Sequence, residues 1–451
     1  MVGSLLAGVF TTGTGALAET AEFERWRDVP MPPGLRIENT ELDGPVFANV
    51  QGSTLYIWPL HKQRNGYSGE LPGRPACKDE VLTVTAGLMS PYPPGITLPD
   101  LENRPSCTDL WPPFLADEGD QPVGAWSIVE RDDGSRQWTW FEQPVYTSIR
   151  DHQPGDVLGA TKRGFDADWS LNGDSPAHRM PIGPPPAVPP GFAVRTTVNG
   201  RILTTDKNYS VYVFDGDTAE SSACSGLCAR KWRPVVAAAL ARAQHEWSII
   251  ERSPGVRQWV YRGKPLYTYV LDTHSWSQEG MDEPGWKNVY TQRAPAFPAS
   301  FKIQHTIAGD VLADANSMTI YRYLCGDDSQ DQLACDHPDD TQVFRLAMCG
   351  GGDPQRCREH WRYIEAGDTE MGSSRTWNVI SIDPDTGDKA ESEHEGAIRV
   401  WAYRDRPVYT YGGDTKPGDT HGGGTGEWRG QRNGLRTFWV RDDYMDGTIR
   451  N

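Results

Sequence analysis

Two loops of the sequence repeat a carboxylate pattern, Asp151-His-Gln-Pro-Gly-Asp156 and Asp414-Thr-Lys-Pro-Gly-Asp419. Asp272 stands at the matching place of a third loop, which continues Thr-His-Ser-Trp. Carboxylates gathered on short loops suit a hard cation, because Ca2+ takes roughly six to eight oxygen ligands. Asp151, Asp156, Asp272, Asp414 and Asp419 are therefore the candidate metal ligands. Asp is also an ordinary turn residue that bonds its own backbone, and EF-hand spacing is absent. His152, His274 and His421 follow the same three loops and are candidate ligand contacts, with copper as the alternative ion. Exposed aromatic rings can stack on sugars or meet a protein partner. Trp276, Trp286 and Trp428 lie in Gly-rich surroundings outside the repeated motifs and are the aromatic candidates.

Other chemistries find little support. GxSxG, HExxH, the P-loop and a strand-bound GxGxxG are all missing. Gly422-Gly423-Gly424 lacks the strand–helix setting that cradles phosphate. The ten His include no pair three or four residues apart. Paired carboxylates could hydrolyse a glycosidic bond, but no feature of the sequence fixes their separation. CxxCH is absent, so covalent c-type haem is not expected.

The eight Cys point to an oxidising compartment. If each repeated unit folds within itself, Cys77 pairs with Cys107, Cys224 with Cys228, Cys349 with Cys357, and Cys325 with Cys335. Residues 1–18 are uncharged, apolar or small, and end Ala16-Leu17-Ala18, which reads as a signal peptide. No mature segment reaches the roughly 18 apolar residues of a membrane span. The expected location is periplasmic or extracellular. A net charge of −17 without a basic block argues against nucleic-acid binding.

The elements that must carry these loops repeat three times. Trp259 and Tyr261, a break at Arg262-Gly263, then Tyr267 and Tyr269 read as a β-hairpin with its large side chains on one face. Its copies hold Trp138 and Trp140, broken at Glu142-Gln143, and Trp401 and Tyr403, broken at Arg404-Asp405. Ahead of each come a strand pair, a Cys-x-x-x-Trp element ending at Trp111, Trp232 or Trp361, and a strand opening at Trp126, Trp247 or Trp377. The fold expected is mainly β: three tandem small domains, each with an aromatic hairpin or meander and a short helix, stapled by disulfides. The boundaries are 19–181, 191–293 and 300–451, with Pro-rich linkers at 182–190 and 294–299.

The second unit resembles the bacterial secreted or lipoprotein repeat family that carries a Y-x-[FWY]-x-x-D motif. The resemblance rests on Tyr212, Phe214 and Asp217, then Cys224, Cys228, Trp232, Trp247, Arg252, Gln258-Trp259, Tyr261, Gly263 to Tyr267, and Asp272. Lys416 to Asp419, Trp428 and Trp439 look like the family's closing segment. His61 and Gly326 depart from the motif's Asp in the other units. The resemblance implies an envelope location and assigns no catalytic residue.

Structural aromatics repeat here without a repeated catalytic set. The reading is an exported, non-catalytic binding or scaffold protein whose partner is an envelope protein or a glycan. The alternatives are a redox or metal-linked electron-transfer accessory protein and a carboxylate-dependent hydrolase.

Overall fold

The computed structural model describes residues 23–57, 73–75, 77–79, 106–159, 180–273, 275, 277–306, 309–324, 354–385, 387, 389–391, 394–423 and 434–442. The protein is mainly β and its strand pairings are antiparallel. The signal-like segment lies outside the described residues.

One strand order occurs three times. A meander of three strands is followed in the sheet by an early Tyr-bearing strand and then by a late closing strand. In the first unit these are Trp126–Glu130, Arg136–Trp140 and Gln143–Tyr146, then Tyr56–Ile57 and Met180–Pro181. In the third they are Trp377–Ile382, Ile398–Tyr403 and Arg406–Tyr411, then Ile320–Leu324 and Gly434–Thr437. In the second, the meander's last strand is split into Lys264–Pro265 and Tyr267–Tyr269. The latter piece pairs with Tyr212–Phe214, which pairs with Trp286–Asn288. An opening hairpin precedes each Tyr strand: Arg36–Asn39 with Pro45–Ala48, Phe192–Thr197 with Gly200–Thr205, and Lys302–Thr306 with Gly309–Ala313.

The hairpin breaks are two-residue turns with positive φ at both positions: Phe141-Glu142, Arg262-Gly263 and Arg404-Asp405. That conformation matches the right-handed twist of the flanking strands. In the first unit the turn therefore sits one residue earlier than the expected Glu142-Gln143, with Trp140 paired to Gln143.

The aromatics do not share one face. Trp259 and Tyr261 pack with Trp247, Phe192 and Leu266, whereas Tyr267 and Tyr269 pack with Tyr212, Trp232 and Cys224. Successive strand residues point to opposite faces, so Leu266 and Tyr267 feed two different cores. The same switch occurs at Val145 and Tyr146 and at Val408 and Tyr409. Each unit thus has a meander core and a second core around its Tyr strand and its disulfide-bonded helix.

The helices are short. Ser106 caps Cys107–Leu110 by a reciprocal bond pair with Asp109. Disulfides join Cys77 to Cys107 and Cys224 to Cys228. Cys357 is also disulfide-bonded. Cys325, Cys335 and Cys349 lie outside the described residues.

The segment 182–190 is not a free spacer. Ile182 is buried in the first unit's core and bonds Phe47 and Leu55, while Pro185 and Ala187 bond Arg27 and Arg25. It extends the closing strand. The units also grip one another. The turn of the first hairpin enters the third unit: Leu42 joins its core, Asp43 pairs with Arg404 at 2.9 Å, and Glu41 accepts the Arg375 and Thr376 amides. Glu24 accepts two bonds from Arg201 at 2.8 and 2.9 Å and one from Thr291 at 2.6 Å. Asn199 bonds Val440 and Arg441 bonds Asp282, joining the second unit to the third.

Removing one partner of a buried ion pair strands the other. Glu24→Ala is expected to destabilise the protein by about 3–5 kcal/mol in chemical denaturation, and Glu24→Ala with Arg201→Met to recover part of the loss. An unchanged denaturation midpoint in the single variant would show that this contact does not hold the units together.

Candidate functional site

The loops singled out for their carboxylates close on the Tyr strands. The hydroxyls of Tyr56, Tyr212 and Tyr321 donate to Asp151, Asp272 and Asp414 at 2.8, 2.8 and 2.5 Å. Each of these tyrosines is at most 1% exposed. A phenol buried this deeply needs a hydrogen-bond partner, and the carboxylate supplies it. The other oxygen of Asp151 accepts the Leu158 amide at 2.8 Å, and that of Asp414 accepts the His421 amide at 3.0 Å.

Asp156 and Asp419 finish the same loops. Asp156 accepts the amides of His152 and Gln153, and Asp419 those of Thr415 and Lys416. The carbonyls of Asp156 and Asp419 accept the Thr54 and Thr319 hydroxyls, both at 2.6 Å. Backbone amides hold the Asp419 carboxyl below its ordinary range. The five carboxylates read as cation ligands are thus each an acceptor within their own unit. Among the described residues no three His, Cys, Asp or Glu side chains converge as a metal group.

The second unit differs. It lacks the Pro-Gly-Asp ending, and its Asp272 is 4% exposed, with one oxygen that among the described residues has no partner of full hydrogen-bond geometry. Ser277, Gln278 and Asn288 are buried around it, and among the described residues Ser277 Oγ, Gln278 Oε1 and the Asn288 amide lack a partner of full hydrogen-bond geometry, although Ser277 and Asn288 lie close enough to act on Asp272 and Tyr212. Asn288 sits opposite Tyr212 in the sheet, where the other units place Pro181 and Thr437. Burial, with a smaller push from the Glu279 charge, raises Asp272 to about 7. Burial and the neighbouring Asp272 push Tyr212 well above its usual value. This is a site that can hold a proton near neutral pH.

The remaining candidates fall into three groups. Trp286, expected as a loop residue free to meet a ligand, is a correction: it lies in a strand, is 7% exposed, and stacks on Trp232 at 3.6 Å with planes 5° apart. Its pairing partner Phe214 stacks on its ring as well, leaving little surface for a ligand. His152 and His421 are exposed, with His421 Nδ1 3.3 Å from Asp414. His274, Trp276 and Trp428 lie outside the described residues.

Residues not singled out from the sequence as site candidates prove to organise these loops. Tyr267 donates to Asp217 at 2.6 Å, so the motif Asp latches the disulfide loop to the meander. Arg252 bonds Gln258, Ser222 and the Cys224 carbonyl, and Arg131 bonds Gln137 and the Cys77 carbonyl. A second set, Arg136, Arg257 and Arg399, grips the carbonyls of the loop before each meander. The sequence carried a signal for it, an Arg two residues before each hairpin Trp.

A small concavity lies between Thr40–Asp43, Gly155–Leu158 and Arg375, Thr376 and Arg404. Its volume is about 30 Å³, space for a water-sized occupant.

Residues 193–236 and 395–430 match a family described as a secreted repeat of unknown function. The two stretches lie in different units. The first runs from the opening hairpin through Trp232 to Val236, and the second covers the last two meander strands and the Asp414 loop. No curated protein and no solved structure matches the chain. Among the described residues no helix is long and apolar enough to cross a membrane.

Asp272 binds its proton more tightly folded, at about 7, than unfolded, near 3.8. Stability from this group is fully present below about pH 4 and is lost as pH rises through 7. The expected loss across that window is on the order of a few kcal/mol. Asp272→Asn should flatten this part of the stability–pH profile, measured by denaturation from pH 4 to 8. An unchanged slope would place the Asp272 pKa near its ordinary value.

Proposed function

We propose that the chain is an exported, non-catalytic binding or scaffold protein of the envelope or extracellular space. The observation that carries this reading is the threefold Tyr–Asp closure. The groups that repeat most faithfully, phenol, carboxylate and guanidinium, are spent inside each unit on holding loops in place. A catalytic group must meet its substrate within hydrogen-bond reach, and Tyr56, Tyr212 and Tyr321 are sealed from it. The match to a secreted repeat and the disulfides support export. What varies between units is the surface of loops whose backbones are fixed, which is how a rigid scaffold presents binding residues.

The test is a screen of the purified chain against glycans and envelope proteins, alongside substrate-turnover assays. Binding that survives Tyr321→Phe, in proportion to the folded fraction, is the expected result. Turnover abolished by Asp272→Asn at an unchanged melting temperature would overturn the reading. Binding lost on dialysis against chelator and restored by Ca2+ or copper would favour the metal-linked alternative.

A further inference from the structure

The three loops gripped by Arg136, Arg257 and Arg399 are built alike. In each, the residue four positions after the Trp of the Cys-x-x-x-Trp element bridges the meander: Leu115 to Gln137, Val236 to Gln258, Glu365 to Val400. In each, the next amide bonds the carbonyl of the gripping Arg, from Ala116, Ala237 and Ala366. The guanidinium then takes carbonyls further along, Asp117 and Asp120, then Ala238, Ala239 and Ala241, and Gly367 and Glu370. The backbone shape is therefore set by the arginine, and the displayed side chains are free to differ.

They differ in sign and polarity. The second unit's loop reads Val236-Ala-Ala-Ala-Leu-Ala-Arg242, and residues 221–245 hold Arg230, Lys231, Arg233 and Arg242 with no Asp or Glu. Leu240 is 92% exposed and Val236 64%, and exposed Val256 adjoins the gripping Arg257. Glu251, paired in register with Arg257, lies at the border. The first unit's loop reads Leu115-Ala-Asp-Glu-Gly-Asp120, and residues 106–125 hold four acids with no Lys or Arg. Leu115, Asp117 and Glu118 are exposed. A side chain as large as Leu at nearly full exposure gains nothing for its own fold. A local run of cations in a chain of net charge −17 gains little for solubility.

We propose that the apolar, basic loop of the second unit docks on the acidic loop of the first unit in another copy of this chain. Leu240 and Val236 meet Leu115, while Arg242 and Arg233 face Asp117 and Glu118. The contact is head-to-tail and leaves one free face at each end, so it propagates as an open series unless its rotation closes a ring. The proposal rests on the binding-scaffold reading and names one partner of that scaffold.

The experiment is sedimentation velocity of the full chain over a concentration series at about 0.15 M salt, where the Debye length of about 8 Å screens the overall repulsion and spares contacts. The wild type is expected to associate. Leu240→Asp, and separately Asp117→Lys with Glu118→Lys, should each weaken association about tenfold or more. Mixing those two variants restores a contact between one intact face from each, and the product stops at a 1:1 dimer. The positions are exposed, and melting temperatures confirm that the variants fold. A wild type that stays monomeric overturns the proposal and leaves the wider binding screen unaffected. Asp368→Lys abolishing association where the first-unit reversal does not would overturn it by moving the partner to the third unit. Binding to vesicles containing phosphatidylglycerol, lost in Leu240→Asp without any self-association, would overturn it by assigning the face to anionic lipid.

Discussion

A phenol and a carboxylate, each costly to bury alone, become compatible with a protein interior when one bonds the other. The Tyr–Asp bond uses this to tie the front of every unit to its back. It joins residues 95 apart in the first unit, 60 in the second and 93 in the third. Closing a longer loop costs only slowly more entropy, so the chain between the two residues can lengthen while the latch stays. The meander docks beside the Tyr strand, the closing strand docks on its other edge, and both depend on that strand being held. The second unit keeps the latch without the Pro-Gly-Asp ending, and burial raises its Asp272 to about 7.

The three copies show how one frame tolerates different interiors. Arg131 with Gln137 and Arg252 with Gln258 join the meander to a Cys carbonyl. In the third unit the corresponding positions are Ile382 and Val400, both fully buried. A buried polar pair and a well-packed apolar pair can be close in stability. The change therefore alters what tethers the disulfide loop more than how well the unit folds.

Much of the fold was legible because it depends on short-range patterns. Period-two aromatics, two-residue breaks and the repeated order of motifs give the meanders and their turns. The division into two cores was less legible, because it turns on adjacent residues such as Leu266 and Tyr267 facing opposite ways. Residues 182–190 read as a linker since proline favours an extended chain, and an extended chain is equally what an edge strand requires. The pairing partners Arg25 and Arg27 lie too far off in sequence to give a local signal. For the same reason the tyrosine donors to the aspartates leave no local signal, and Trp286 reads as a loop ring although Phe214 and Trp232 close on it. The matched carboxylate loops themselves were visible, as repetition, before their purpose was.

The hairpin turn at Thr40–Gly44 bears on how this molecule comes into being. Its Asp43 meets Arg404, a residue 361 positions later. A chain that emerges from its N-terminus first must display Leu42 and two carboxylates throughout the synthesis or translocation of everything between. The turn's two acids keep that waiting loop hydrated, while its single leucine limits the sticky surface offered to neighbouring chains. The closure thus spans all three units: only when the third has formed does the first one lose its exposed corner.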